Sequence, residues 1–371
     1  MSKQITKNQH YVPLCLLRHF GYDSKNGKRI NVFDIERSVV RYNQSVKEVF
    51  SQNYFYGRDN KVETFMAEKI EGPASNIVDK IVDGDFNIAG EDTLTLHRFI
   101  LSLFYRTPEA SERVSGFVNS QLESIVRELL SLNGFDPEEA SAGRLKLYQD
   151  HLASLITVQG VLGAEFLRNM EYHIIKNETA SEFYISDHPV FIYNWFYREL
   201  EHPAVTSINA IGLQIFLPLS PKITLCLYDP KVYKYGQRSL VTCVSNDKDI
   251  EILNSFQIIN SNSIIGFYSS KNESHVKQLC ERYKNIILRQ YESGILSTSE
   301  EGKGRRRSTH FVFTRQEKLM KMPSFIKVKK KLKSYASSYQ ERDPQLSAEF
   351  KKLIINEQRQ RSIVELDQGD G

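Results

Sequence analysis

Four side chains, widely separated along the chain, have the chemistry needed to act on a phosphate ester: His10, Glu71, Arg106 and Asp187. A histidine titrates near neutral pH and can serve as general acid or base on a phosphodiester. An arginine can hold a phosphate through two parallel N–H groups, and carboxylates can orient water or a divalent metal ion. These residues predict a catalytic site for phosphodiester cleavage, with its metal requirement left open.

Each of the four also has a structural interpretation. His10 would cap the helix that follows it, and Arg106 would complement the negative C-terminal end of its own helix. Asp187 precedes a turn, where aspartate commonly makes local hydrogen bonds. Glu71 lies three residues after Glu68, so both carboxylates would share one side of a helix, as a functional pair or as a solvated face. Convergence of His10, Arg106 and Asp187 in one pocket would favour function.

Common nucleotide-binding and hydrolase signatures are absent from the sequence. It contains no GxxxxGK(S/T), GxGxxG, HExxH, GxSxG or CxxC motif. Triphosphate hydrolysis, dinucleotide redox chemistry, zincin proteolysis and α/β-hydrolase chemistry are therefore disfavoured.

The composition is that of a folded protein with a sizeable core. The chain has 371 residues, of which 40% are hydrophobic and 25% charged. Its first dozen residues are too polar for a signal peptide, and no apolar run is long enough to span a membrane. We therefore expect no membrane contact and a cytoplasmic location. Four cysteines in apolar contexts without a CxxC pair predict buried thiols rather than disulfides.

Positive charge is concentrated near the C-terminus. Residues 303–333 contain 12 Lys or Arg and one acid, a net charge of +11, so the other 340 residues sum to −7. Clustered cations interleaved with aromatics favour a salt-sensitive contact with RNA or DNA. The alternative is a solvated linker and helix whose charges face water or pair with the acidic body. The residues expected to bind nucleic acid are Arg305, Arg306, Arg307, Lys329, Lys330 and Lys331.

Hydrophobic periodicity predicts an α+β fold, in which an N-terminal helical bundle packs on a mixed, largely antiparallel sheet and a basic helical appendage follows. Residues 1–295 are expected to form one domain, with a helical part at 1–176 and a β-rich part at 177–295. Residues 296–371 are expected to form a basic linker and a C-terminal helix.

Individual elements follow from local patterns. Period-two segments predict a hairpin of strands 30–35 and 38–42, and later strands within 182–186, 190–194, 211–219, 222–228 and 264–270. Helical patterns cover 62–82, 93–106, 110–132, 144–175, 247–260 and 273–291, with a break expected at Gly72-Pro73. His97 lies on an apolar helical stripe, which predicts a core histidine.

Several short motifs occur in an order that resembles the domain-of-unknown-function 4238 family. The chain opens with His10-Tyr11-Val12-Pro13 before LCLLRHF, and the likeness continues through NVFD, NYFYG, the Glu71 helix, Arg106-Thr107-Pro108, FYISDHPV, PLSPKITL and the Asn254 helix. It covers residues 8–270 and leaves the basic tail outside. The family's activity is unassigned, and its intracellular, mostly microbial members imply a role in defence or toxin biology.

Two functional hypotheses follow. In the first, the protein is a nuclease or phosphodiesterase in which His10 carries protons, Arg106 clamps phosphate, and Asp187, with Glu71, orients water or a metal ion. In the second, it is a binding module without catalytic activity that docks nucleic acid or a partner protein through the basic tail.

Overall fold

A five-stranded sheet forms the centre of the protein. The computed structural model describes residues 8–55, 61–88, 90–107, 134, 157, 160–202, 204–236, 239–286, 289–299, 306–316, 321–331, 336–349 and 352. Only one pair of neighbouring strands in the central sheet is parallel, the first pair in spatial order. The strands in that order are β11 (Val241–Val244), β5 (Glu171–Asn177), β9 (Ile223–Tyr228), β8 (Gln214–Ser220) and β7 (Phe191–Tyr193).

Both faces of this sheet are covered, because its strands are apolar at successive positions rather than at alternate ones. Ile174 and Ile175 of β5 point to opposite faces and enter two different cores, as do Ile215 and Phe216 of β8. Helices from the N-terminal half cover one face. The other face is covered by a later helix and by part of the C-terminal segment, including Ile326.

The N-terminal helices position the candidate site. A continuous helical run crosses residues 61–82, and its middle portion is a π-helix. A second sheet contains the first strand of the described chain and one later strand, paired antiparallel. These elements are β1 (Asn8–His10) paired with β4 (Ser51–Asn53), α1 (Leu14–Leu17), α2 (Lys61–Phe65), the π segment (Met66–Glu71), α3 (Gly72–Val82), α4 (Glu91–Tyr105) and a 3-10 helix (Gly163–Leu167).

A third sheet, of four antiparallel strands, carries the predicted hairpin. Its order is β3 (Val39–Ser45), β2 (Arg29–Asp34), β12 (Ile264–Phe267) and β6 (Ile185–Ser186). It packs on α6 (Glu273–Tyr283) through Phe33, Ile265 and Val276. The preceding helix, α5 (Asp247–Asn260), begins at an Asn246 cap whose side chain accepts from the Lys248 N–H. Helices and mixed sheets together confirm the α+β class.

Two of the expected helices differ from the structure. The helix expected at 144–175 gives way to β5 at Glu171, because EYHIIKN pairs along its length with β9 and buries its isoleucines in the central sheet. The helix expected at 273–291 ends at Tyr283, and a strand begins at Arg289. The helix expected at 110–132 lies outside the described residues.

The C-terminal segment contains strands where a linker was expected. An antiparallel pair joins β13 (Arg289–Ser299) to β14 (Arg306–Gln316), and β15 (Ile326–Val328) pairs with β10 (Tyr233–Tyr235) of the body. Ser324 donates its N–H and hydroxyl to Asp249 at 2.8 and 2.6 Å. Residues beyond 320 therefore contribute to the core, while the division into a domain at 1–295 and a tail at 296–371 remains a prediction.

A buried arginine anchors the end of this segment. Arg342 is 4% exposed and donates from Nη1 to the Ala210 carbonyl at 3.1 Å and from Nη2 to the Ile208 carbonyl at 2.7 Å. Nη2 also donates to the carbonyl of Phe166. The backbone of the segment is held as well, since Asn209 donates to the Asp343 carbonyl at 3.0 Å.

The sequence also made predictions about the cysteines, His97 and membrane-spanning segments. All four cysteines are free, and Cys243 is exposed rather than buried. His97 is buried, as expected, and burial with the nearby Arg342 charge lowers its pKa to about 4. Within the described part of the chain, no helix is both long and apolar enough to cross a membrane.

We predict that Arg342→Met lowers the free energy of unfolding by at least about 2 kcal/mol, because three buried carbonyls lose a charged donor. Urea denaturation of the full chain measures this. Arg168→Met is the matched control: Arg168 pairs with Asp343 at 3.1 Å but is 52% exposed, so its loss should cost less than about 1 kcal/mol. Equal effects of the two substitutions would show that the Arg342 contacts do not hold the segment.

Candidate functional site

Arg106 joins three segments that are distant in sequence. Its side chain has no solvent exposure, its Nε donates to the Tyr11 carbonyl at 2.8 Å, and its Nη1 forms an ion pair with Glu71 Oε1 at 2.5 Å. It is also the residue that ends α4, where its N–H donates to the Ser102 carbonyl. The end of α4, the π segment and the strand that carries His10 are therefore fixed together by one guanidinium.

The π segment explains how Glu71 reaches Arg106. Pro73 has no N–H, and its ring would clash with the carbonyl four residues earlier in a regular helix. The chain widens instead, so that the N–H of Gly72 donates to the carbonyl of Ala67, five residues back. A π turn takes more residues than an α turn, so Glu71 is rotated relative to Glu68 from the position that a regular helix would give it. Glu68 is exposed and Glu71 is partly buried, and their functional pairing stays a prediction.

Glu63 is the carboxylate that shares the neighbourhood of Glu71. Burial and the charge of Glu71 raise the pKa of Glu63 to about 7, and the nearby Arg106 charge offsets only part of this rise. Sequence reasoning missed Glu63, because the local pattern does not show that this position is partly buried beside Glu71 and Arg106. A carboxyl group with this pKa exists in both protonation states at neutral pH.

His10 lies at the same place, at the end of β1. Burial and the Arg106 charge lower its pKa, while Glu71 and hydrogen bonds with the backbone of Val46 and Lys47 act in the opposite direction. The ring is therefore neutral at pH 7. Its Nε2 atom is buried and has no hydrogen-bond partner among the described residues.

Cys15 adjoins the cluster but is not a nucleophile. Burial and the charge of Glu71 raise the pKa of its thiol to about 12, although Arg106 and Arg18 act against the rise. A thiol with this pKa stays protonated at neutral pH, and the reactive form of cysteine is the thiolate.

Asp187 is held in a structural network. One oxygen accepts from the Ser261 hydroxyl at 2.8 Å and the Asn262 N–H at 2.9 Å, and the other accepts from the Ser263 N–H and hydroxyl, both at 2.7 Å. A fifth bond comes from the Ile264 N–H. Asp187 lies close enough to Tyr11 for its charge to act on that side chain. Burial raises the pKa of Tyr11, and the Asp187 charge adds to the rise. The oxygens of Asp187 are nevertheless used to fix the loop between α5 and β12.

Amide side chains of α5 hold the rest of the Ser-Asp-His-Pro turn. Asn254 accepts from the Tyr184 N–H at 3.0 Å, Gln257 accepts from the Ser186 N–H at 3.0 Å, and Asn260 donates to the carbonyls of His188 and Val190. Because these amides are spaced three residues apart, one face of α5 can follow the extended segment 184–190. These hydrogen bonds give the Ser-Asp-His-Pro motif a structural role that needs no substrate.

Five of the six basic residues expected to bind nucleic acid fall within the described part of the chain. Lys329, Lys330 and Lys331 are exposed, and Lys329 donates its N–H to Val232 and its Nζ to Pro230 on the body. Arg306 and Arg307 occupy the first positions of β14. Arg305 lies outside the described residues.

Metal binding was left open by the sequence. Among the described residues, no group of three or more His, Cys, Asp or Glu side chains is arranged to hold a metal ion.

The fold and the site together define an α+β protein with a partly buried acid–base cluster between its first strand and a π-containing helix. The chain belongs to the family described as "Protein of unknown function (DUF4238)", whose model matches residues 8–272. This match confirms the family expected from the sequence, and its range includes His10, Glu63, Glu71, Arg106 and Asp187. No curated protein and no solved structure matches the chain.

We predict that Glu71→Gln lowers the pKa of Glu63 from about 7, since it removes a repelling charge and leaves Arg106 without its carboxylate partner. Carbon-detected NMR titration of the glutamate carboxyls measures the shift. Glu68→Gln, an exposed neutral substitution on the same helical run, should leave the Glu63 titration unchanged. A Glu63 pKa near 4.5 in the unsubstituted protein would contradict the arrangement.

Proposed function

We propose that the protein is a hydrolase that cleaves phosphodiester bonds of nucleic acid, with His10 and Glu63 as its proton-transfer groups. The observation that carries this proposal is the convergence of His10, Glu63 and Glu71 around the buried Arg106. His10 and Arg106 come from segments 96 residues apart in number, and local structure alone does not bring them together.

The two proton-transfer groups have complementary states near pH 7. Neutral His10 can accept a proton at Nε2 from an attacking water or hydroxyl group. Protonated Glu63 can give a proton to the departing oxygen as the bond from phosphorus to that oxygen breaks. The proton lost by the nucleophile and the proton gained by the leaving group are thus both accounted for by this chain.

Arg106 and Glu71 are assigned positioning roles in this scheme. The guanidinium that the sequence suggested as a phosphate clamp is fully buried and already bonded to Glu71 and Tyr11. Burial is the main cause of the lowered pKa of His10, and the Arg106 charge adds to it, so the imidazole is neutral. Burial is likewise the main cause of the raised pKa of Glu63, and the Glu71 charge adds to it.

The second candidate function is binding without catalysis, to RNA, DNA or a protein partner through the basic C-terminal segment. The observation in its favour is that Lys329, Lys330 and Lys331 are exposed side by side. A role in microbial defence, which the family resemblance suggests, is compatible with either function.

We predict a bell-shaped dependence of cleavage on pH, with a maximum between the lowered pKa of His10 and the Glu63 pKa of about 7. Activity should fall at lower pH as His10 becomes protonated and at higher pH as Glu63 loses its proton. The assay incubates the full chain with pooled RNA and DNA in magnesium, in manganese and in chelator.

His10→Ala and Glu63→Gln should each reduce cleavage by at least about 100-fold, with melting temperatures that show a folded protein. Glu68→Gln is the matched carboxylate control and should retain activity. If the unsubstituted protein binds nucleic acid but cleaves none of the pool, the binding function replaces the hydrolase. If His10→Ala unfolds the chain, His10 is a structural residue.

A further inference from the structure

A cleft of about 340 Å³ opens beside the candidate site. One wall is formed by α1 and the residue after it, the second by the turn at 26–28 and the third by residues 45–47 at the end of β3. The floor is largely apolar, with Leu14, Cys15 and Val46, and the rim carries Arg18, Lys28 and Lys47.

Two of the lining segments also touch the acid–base cluster. The His10 ring is hydrogen-bonded to the backbone of Val46 and Lys47, which form one wall. Cys15 on the floor lies close enough to Glu71 and Arg106 for their charges to act on its thiol. The cleft and the proposed catalytic groups are therefore two sides of the same thin wall of backbone.

The charges on the rim favour an anion. Arg18 is bonded to Asp79, which also pairs with His19 at 2.9 Å, so its charge is largely balanced. Lys28 pairs with Asp23 at 3.3 Å, and that carboxylate is 88% exposed, so the pair contributes little. Lys47 is exposed and forms no ion pair with a described residue. Two lysines thus remain available above an apolar floor.

Size limits the ligand. Sites for small molecules usually enclose about 300–1,000 Å³, and this cleft lies at the lower end of that range. A cleft of this size suits a ligand as small as one nucleotide. Apolar side chains below and cations at the rim match a base and a phosphate respectively.

We propose that this cleft binds a single unpaired nucleotide of a nucleic-acid strand, with the base on Leu14 and Val46 and the phosphate on Lys28 and Lys47. This inference rests on the proposed function for its biological meaning, since the proposed substrate of the protein is a nucleic acid. Its binding chemistry is tested without turnover.

The experiment is isothermal titration calorimetry of the full chain with nucleoside 5′-monophosphates, which contain no diester bond to cleave. Deoxyuridine and uridine monophosphates differ only at the 2′ position, so their ratio shows whether DNA or RNA is preferred. Deoxyuridine without phosphate and inorganic phosphate are the partial ligands. We expect the monophosphate to bind at least tenfold more tightly than either partial ligand.

Lys28→Gln with Lys47→Gln should weaken monophosphate binding at least tenfold and reduce its salt dependence. Leu14→Asn should weaken binding of the monophosphate while leaving that of inorganic phosphate unchanged. The matched control is Lys248→Gln with Lys271→Gln, two exposed lysines elsewhere on the surface, which should have no effect.

Equal affinity for phosphate and monophosphate, or unchanged binding in the Lys28 and Lys47 variant, would overturn the proposal. These outcomes are separate from failure of the hydrolase. Monophosphate binding that depends on these lysines, in a protein that cleaves no nucleic acid, supports the cleft and rejects the catalytic assignment. Cleavage that is unaffected in the same variant supports catalysis and rejects the cleft.

Discussion

Burial of the Arg106 guanidinium is the constraint on which the candidate site depends. A cation removed from water is costly unless it is paired and hydrogen-bonded, and here the compensation comes from Glu71 and the Tyr11 carbonyl. Each partner belongs to a different part of the chain. The first strand, the π segment and the end of α4 must therefore meet at one point whenever Arg106 is buried.

Burial is the main cause of the shifted pKa values around Arg106. It lowers the pKa of His10, which the Arg106 charge lowers further, and it raises the pKa of Glu63, which the Glu71 charge raises further. Since the folded-state pKa of Glu63 is raised, its contribution to stability is largest below pH 4.5 and is lost as the pH rises through about 7. The fold thus holds Glu63 where its ionised form is disfavoured. Such perturbed carboxyl groups are common at functional sites.

Local patterns in the sequence were sufficient for much of the fold. Strands β2 and β3 and helices α4 and α5 follow from period-two and helical spacing, and Arg106 and Glu71, both singled out from the sequence, form an ion pair in the structure. The misses have physical causes: β5 depends on its pairing with β9, and the raised pKa of Glu63 depends on burial that the local sequence does not reveal. Asp187 attracted attention for its turn, but its partners at 261–264 were invisible in the local sequence.

The most direct test of this account is a double-mutant cycle on the central ion pair, with Arg106→Met, Glu71→Met and the double variant measured by urea denaturation. The account predicts strong coupling: each single substitution should cost about 3–5 kcal/mol because it leaves a charge without its partner, and the double variant should cost clearly less than the sum of both. Additive effects of the two substitutions would contradict it, because Arg106 and Glu71 would then act independently and the ion pair would not organise the site.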